Sequence, residues 1–453
     1  MRSASSYTRP RPGRLAKAVV ATAVTAAVVL GSAAPAQAQK LNPDTVDFGT
    51  EWPESFESVC APSEITGEPL SEVPWHLSNT DMEAVHAQNR GTKADGDPVK
   101  VAVIDSGAND EHPTYKDRIR DGLDPWDPKK KGRCDAVGHG SEIAGLIAGG
   151  HDPESSYIGI APEVLIYPMR MYPENYEGAD TEISKTLAAM INTAINEDMD
   201  VINISLTTLP HASLERAIER AWDEGVIVVA AVGNNTLPMD EMEGEEATVY
   251  PAQYEKALAV TAYNERGWWT GSNFGSRVDV MAPGDQIWVP TPKGNGYKKV
   301  KGTSFAAPIV AGLVSLITGK YGSEIGTGNA DWSQWVHDRV KATATPAPGG
   351  YEDCSGCGHN AFQGNGAVNM VRALTAEVTT SGFDEDRENG ETSMVLEEKP
   401  PVDQLPTVSD EWADKRPIVY GSMIGVVLFL AVGWAMVKVI PNGRRRGWKP
   451  QEN

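Results

Sequence analysis

Four polar residues occupy positions from which a chain can carry out nucleophilic acyl transfer. Asp105 closes the apolar run Val101-Ala-Val-Ile-Asp105 and is followed by Ser106-Gly107. A carboxylate at the end of a buried strand can orient a histidine and stabilise the imidazolium formed in catalysis. Such an acid also serves simply to cap a loop. His139 lies between two glycines in Gly138-His139-Gly140-Ser141, ahead of the apolar stretch Ile143-Ala-Gly-Leu-Ile-Ala148. Imidazole is the usual general base near neutral pH, and glycines beside it let backbone and substrate approach closely. Ser304 stands in Gly302-Thr303-Ser304-Phe305-Ala306-Ala307-Pro308. A serine opening a helix is an ordinary N-cap; with a base at hand it is a nucleophile. Asn234 ends Ala230-Ala-Val-Gly-Asn234. Its amide could donate to a developing oxyanion, as could the free N–H groups of the Ser304 helix.

These residues must be held by strands and helices of one sheet. The runs Val99–Ile104, Val164–Tyr167, Val201–Ile204, Val226–Val229 and Ala257–Thr261 are short and rich in β-branched and other apolar residues, as in strands buried on both faces. Helices are expected over 183–197 and 213–224, and the Ser304 helix to Thr318. Leu214, Ala217, Ile218 and Ala221 form an i, i+3, i+4, i+7 face. Strands alternating with helices predict an α/β fold, a parallel sheet with helices on both faces. Chemistry in such sheets sits where strands end and helices begin.

The two ends read differently. Arg2, Arg9, Arg11, Arg14 and Lys17 precede an uncharged stretch from Ala18 to Ala34. Ala36-Gln37-Ala38 then supplies a small-x-small cleavage pattern, so residues 1–38 are expected to be a signal peptide; an uncleaved anchor is the alternative. Ile418–Val437 is uncharged and long enough to cross a bilayer core. Tyr420 and Trp434 lie near its ends, and Lys438, Arg444, Arg445, Arg446 and Lys449 follow. This predicts one C-terminal transmembrane helix (417–440), a basic cytoplasmic tail (441–453) and a catalytic domain outside the cell membrane. Residues 376–416 are rich in acids and proline, as a linker would be; an acidic docking segment is the alternative. The formal net charge of −22 argues against nucleic acid as a partner.

The motifs resemble those of subtilases. The order Asp105, His139, Ser304 is that of subtilisin, and Asn234 resembles the oxyanion asparagine of that family. His112-Pro113, Gly159-Ile-Ala-Pro162, Asn203-Ile-Ser-Leu206 and Met281-Ala-Pro-Gly284 also match. The resemblance covers about 99 to 374 and implies a subtilisin-like peptidase domain, placed at 76–375, with Asp105, His139 and Ser304 as catalytic residues and protein or peptide as substrate. One departure is Thr207-Thr208 after Ser205-Leu206, where subtilases usually have glycine; an apolar P1 preference is not carried over.

An exported subtilase with a short N-terminal extension, a cysteine pair, Pro74-Trp75-His76-Leu77 at its entry and a C-terminal span resembles a mycosin. Mycosins are the membrane-anchored proteases of type VII secretion systems. The resemblance implies that residues 39–75 wrap the catalytic domain and remain attached. Of the three pairings open to four cysteines, Cys60–Cys134 and Cys354–Cys357 are expected as disulfides. No cofactor or metal is called for. Only His359 stands near Cys354 and Cys357, which does not make a zinc site. The acids Asp240, Glu241, Glu243, Glu245 and Glu246 read as a solvated loop rather than a calcium cage. Two roles are compatible with this layout: an endopeptidase acting on exported proteins, and a structural component of the secretion membrane complex with proteolysis secondary. Gly421 and Gly425 give a weak small-xxx-small pattern for helix association.

Overall fold

The computed structural model describes residues 60, 67–70, 72–78, 80–115, 117–150, 152, 154–172, 181–244, 247–345 and 359–377. The chain divides after Glu377. Everything described belongs to the first unit. The expected signal peptide, the expected linker beyond residue 377, the expected span at 418–437 and basic tail, and Cys354 and Cys357 lie outside the described residues.

In chain order, α1 (Trp75–Ser78) and α2 (Met82–Gln88) lead into β1 (Lys100–Asp105), α3 (His139–Ala148), β2 (Leu165–Arg170), α4 (Thr181–Asn196), β3 (Val201–Ile204), α5 (Ala212–Asp223) and β4 (Ile227–Ala231). Next come β5 (Leu258–Asn264), β6 (Gly267–Trp268), β7 (Val280–Pro283), β8 (Asp285–Pro290) and β9 (Tyr297–Lys301). The helices α6 (Thr303–Ile325), α7 (Ala330–Thr343) and α8 (Met370–Thr375) follow. The described residues form a seven-stranded sheet in the order β2-β1-β3-β4-β5-β6, with β7 also pairing β5. All pairings in it are parallel except β5 with β6. The strands β8 and β9 make a separate antiparallel hairpin.

The alternation of strand side chains explains the layers. Val101 and Val103 point to one face, into a core with Ile143 and Ile147 of α3, Val310 and Val314 of α6, and Trp332 of α7. Ala102 and Ile104 point to the other, against Leu187 and Ile191 of α4 and Leu214 and Ile218 of α5. Both faces are covered, which is why these strands carry no polar alternation. Each fully buried aliphatic side chain contributes about 1.5–3 kcal/mol relative to exposure.

The order 2-1-3 places a topological switch between β1 and β3, and a crevice opens outside the carboxyl ends of strands at such a point. Asp105 ends β1, and Ser205 follows β3.

Helix α6 runs to Ile325, beyond the expected end at Thr318. Gly319, just past that expected end, packs against Asn89 and the Thr92 carbonyl inside the helix. Gly326, at φ 92°, ends the helix. It is long and apolar enough to cross a membrane, but 89% of its apolar window is buried inside the domain. The hairpin β8–β9 went unread because Tyr297-Lys-Lys-Val-Lys301 combines strand-forming residues with three lysines, as suits an exposed edge.

Candidate active site

Asp105 is fully buried, and one of its oxygens does the work. Oδ1 accepts from His139 Nδ1 at 2.8 Å, from the Ser106 N–H at 2.8 Å and from the Tyr172 hydroxyl at 3.1 Å. Oδ2 is buried, with no hydrogen-bond partner among the described residues. An ionised carboxylate only accepts, so Nδ1 of His139 carries a proton, and in the neutral imidazole Nε2 is the lone-pair nitrogen. The imidazole is 23% exposed. Its ring meets Phe305 edge-on, with centroids 5.2 Å apart, which places it over the first turn of α6.

His139 is the first residue of α3, and the loop before it is folded around a second buried acid. Asp135 Oδ1 accepts from the Gly138 N–H at 2.7 Å and the Ser106 hydroxyl at 2.8 Å. Its Oδ2 accepts from the Ser141 N–H at 2.8 Å and the Ser141 hydroxyl at 2.7 Å. Ser106 Oγ in turn accepts from the Gly140 N–H at 3.0 Å, and Ser141 Oγ from the Asn109 N–H at 2.8 Å. A carboxylate at a helix N-terminus satisfies donors that the helix leaves free. Here it also ties the end of β1 to the start of α3, the distance that Asp105 and His139 must keep. Gly140 is required by this closure, because a Cβ there would run into the carbonyl oxygen of Gly107. Cys134, next to Asp135, is joined to Cys60 by a disulfide. The Cys60 carbonyl accepts from Asn109 Nδ2 at 3.0 Å and from the Asp135 N–H at 3.3 Å. Further along, Glu68 exchanges both backbone hydrogen bonds with Tyr297 of β9 at 2.9 Å.

The charges around His139 act together. Burial works against the imidazolium. The Asp105 carboxylate, through its charge and its hydrogen bond, outweighs that cost, with help from Glu142 and Asp135, and His139 is pushed up to about 9. Burial raises Asp135 against the pull of its hydrogen bonds. Burial likewise raises Glu142, opposed by Lys298 of β9, whose ammonium lies 2.6 Å away. Tyr172 is pushed well above 10 by burial and then by Asp105, so it stays a donor.

Ser304 is the second residue of α6. Its hydroxyl donates to the Ser205 carbonyl at 3.2 Å, and no hydrogen bond joins it to His139 in this state. Ser205 Oγ donates back to the Ser304 carbonyl at 2.8 Å. The reason is Pro308, four residues on. A helix carbonyl normally accepts from the N–H at i+4, and proline has none. Pro308 frees the Ser304 carbonyl, and Ser205 satisfies it. Asn203 Nδ2 holds the Ser205 hydroxyl at 3.0 Å.

Asn234 is exposed in the turn after β4. Its Oδ1 accepts from the Thr303 N–H at 2.8 Å and the Thr303 hydroxyl at 2.9 Å. That spends the acceptor, and Nδ2 has no partner among the described residues, beside the start of α6. The expected residues thus gather at the carboxyl edge of the sheet: Asp105 bonded to His139, Asn234 bonded to Thr303, and Ser304 clamped to Ser205. In the departing stretch, Thr208 is buried and pairs its backbone with Tyr250 at 2.8 and 3.2 Å. Thr207 Cγ2 lies close over Gly233.

Comparison with known proteins matches this architecture. Residues 96–366 match the model of the Subtilase family. The M-protease of Shouchella clausii (strain KSM-K16) is 32% identical over 342 residues, covering 75% of this chain and 79% of its own. The chain belongs to the subtilase family.

Subtilisin BL of Lederbergia lenta is 34% identical to this subtilase over 276 residues, 60% of this chain and 91% of its own. Among solved structures, the subtilase is similar to MycP1 with its N-terminal propeptide removed. That match has 26% identity and a TM-score of 0.55, covering 68% of this chain and 100% of the other. It is also similar to the serine protease MycP1 described as an essential component of the type VII (ESX-1) secretion system. Here identity is 25% and the TM-score 0.56, covering 74% and 99%. The fold is that of a subtilisin-like serine protease, and its structural neighbours include mycosins.

Four further residues build this subtilase's site: Asp135 and Tyr172, which the sequence leaves unmarked, and Ser205 and Pro308, which stand in the matching motifs without an assigned role. Two had a readable signal. Asp135 is an acid three residues before Gly138 at a helix start, where anions are favoured. Pro308 stands one helical turn after Ser304, a spacing that exposes that carbonyl. Tyr172 and Ser205 become visible only when β2 and β3 are known to flank β1.

Proposed function

We propose that the protein is a membrane-anchored serine endopeptidase that cleaves exported proteins outside the cell membrane, as a mycosin of a type VII secretion system. Asp105, His139 and Ser304 are its catalytic triad and Asn234 its oxyanion donor. The observation that carries the reading is the 2.8 Å bond from His139 to buried Asp105 at the switch point of the sheet, with Ser304 opening the adjacent helix.

The mechanism follows from the hydrogen-bond inventory. The Ser304 hydroxyl turns from the Ser205 carbonyl towards Nε2 of His139. As Oγ attacks the scissile carbonyl, Nε2 takes its proton, and Asp105 stabilises the imidazolium. Asn234 Nδ2 and N–H groups at the start of α6 hold the oxyanion. The imidazolium then protonates the leaving amine. Water, deprotonated by His139, releases the acyl group.

The disulfide at Cys60 and the bridge at Glu68 support an extension that stays on the domain after export. The pairing Cys354–Cys357, the domain limits drawn from the sequence, the signal peptide and the anchor are parts of the same proposal. They rest on residue patterns and on the likeness to mycosins.

A secretion assay in cells lacking the protein, rescued by wild type or Ser304→Ala, tests this reading. Export without processing of substrates by the mutant is the result expected of a protease that is also a component of the secretion complex. Processing by the Ser304→Ala protein would overturn the assignment of the nucleophile.

A further inference from the structure

We infer that Tyr172 is a positioning residue for catalysis, which sets the basicity of His139 by donating its hydroxyl proton to the oxygen of Asp105 that also holds the imidazole. The inference rests on the proposed triad.

Tyr172 lies just beyond the end of β2, which is hydrogen-bonded to β1 along its length, with Asp105 beside Arg170 in the register. That pairing brings a phenol from one strand end to the carboxylate on the next. Its hydroxyl is 3.1 Å from Asp105 Oδ1, and His139 Nδ1 is 2.8 Å from the same atom. Tyr172 and His139 thus share one oxygen, which Ser106 also reaches, while Oδ2 has no partner among the described residues. A phenol donating to a carboxylate draws off negative charge, and that charge is what favours the imidazolium. Removing the hydroxyl returns the charge to Asp105 and makes His139 a stronger base that is neutral only at higher pH.

The surroundings leave Tyr172 as the adjustable contact. Around the pair stand Asp105 on β1, Asp135 on the loop before α3, and Glu142 on α3 with its counter-ion Lys298 on β9. Ser106 reaches Asp105 with its N–H at 2.8 Å. Its hydroxyl lies nearer Asp135, at 2.8 Å, than Asp105, at 3.2 Å. Asp135 and Glu142 are each engaged by other groups. Tyr172 is the one uncharged side chain that can be changed at Asp105 without cutting a bond that builds the loop.

The test is the pH dependence of Ser304 phosphonylation by a fluorophosphonate, which needs no knowledge of the substrate, in the full chain. For wild type the rate should rise with pH as His139 loses its proton. For Tyr172→Phe, which keeps the ring, the rising limb should move up by about half a unit, with labelling at pH 8 slower by about threefold and recovered at pH 10. Incorporation of 3-fluorotyrosine at 172, a stronger donor, should move the limb the other way. Unshifted limbs in both variants, or a rate lowered equally at every pH, would overturn the role of Tyr172 and leave the triad standing. A wild-type chain that labels elsewhere than Ser304 would overturn the triad itself, and this role with it.

Discussion

The two halves of the proposed site are built in opposite ways. The acid–base half is buried and over-connected. Asp105 and Asp135 are both fully buried, and Asp135 accepts four hydrogen bonds from three residues. The nucleophile half is open. Asn234 is exposed, and the Ser304 hydroxyl rests on the Ser205 carbonyl rather than on the base. The difference matches what each half must do. An imidazolium forms during the reaction, and fixed buried charges stabilise it without reorganising at that moment. In the proposed mechanism the hydroxyl moves, and its one bond among the described residues is a long one that it can give up. Stability is therefore concentrated at Asp135, and rate at Asn234 and Ser304.

Substitutions on either side should separate these properties. Asp135→Ala leaves the donors of Gly138, Ser141 and Ser106 without their acceptor. At about 1–3 kcal/mol for a buried donor left unmade, the fold should lose about 3–5 kcal/mol in chemical denaturation, and activity with it. An Asp135→Ala protein as stable as wild type would remove the contrast. Asn234→Ala should act mainly on rate, with kcat about 10²–10³-fold lower and KM little changed, at a cost of about 1 kcal/mol in stability, because the Thr303 N–H and hydroxyl lose their acceptor. Ser205→Ala lies between, leaving the carbonyl freed by Pro308 without its donor. About 1 kcal/mol of stability should be lost, and kcat should fall about tenfold as the first turn of α6 loosens.

The contrast also has a signature in pH. His139, pushed up to about 9 by Asp105, must be neutral to act as a base, so the rate should climb through that value rather than near 6.5. The sign for stability is the opposite. A raised folded-state value means that the imidazolium–Asp105 pair stabilises the fold fully below about 6.5 and ceases to do so as the pH rises through about 9. Denaturation midpoints at pH 6 and pH 10, compared with those of His139→Ala, would show this difference.

The sequence carried most of the fold because the strands of a doubly covered sheet announce themselves. Val201–Ile204 was bounded as found, and Asp105, His139, Asn234 and Ser304 all lie where strand ends and helix starts meet. The unread parts depend on long-range pairing. Nothing local distinguishes Tyr172 from any tyrosine after a strand, and the partner of Ser205 stands 99 residues away. Helix α6 outran its expected end because Gly319 serves close packing and not termination, a role fixed by Asn89 far upstream.

The most direct test is to treat the folded chain with a fluorophosphonate and map the adduct by mass spectrometry, beside His139→Ala and Asp105→Asn. The account predicts one adduct, on Ser304, lost in the histidine variant and strongly slowed in the aspartate variant. An adduct on Ser106, Ser141 or Ser205, or labelling of Ser304 that does not depend on His139, would contradict it.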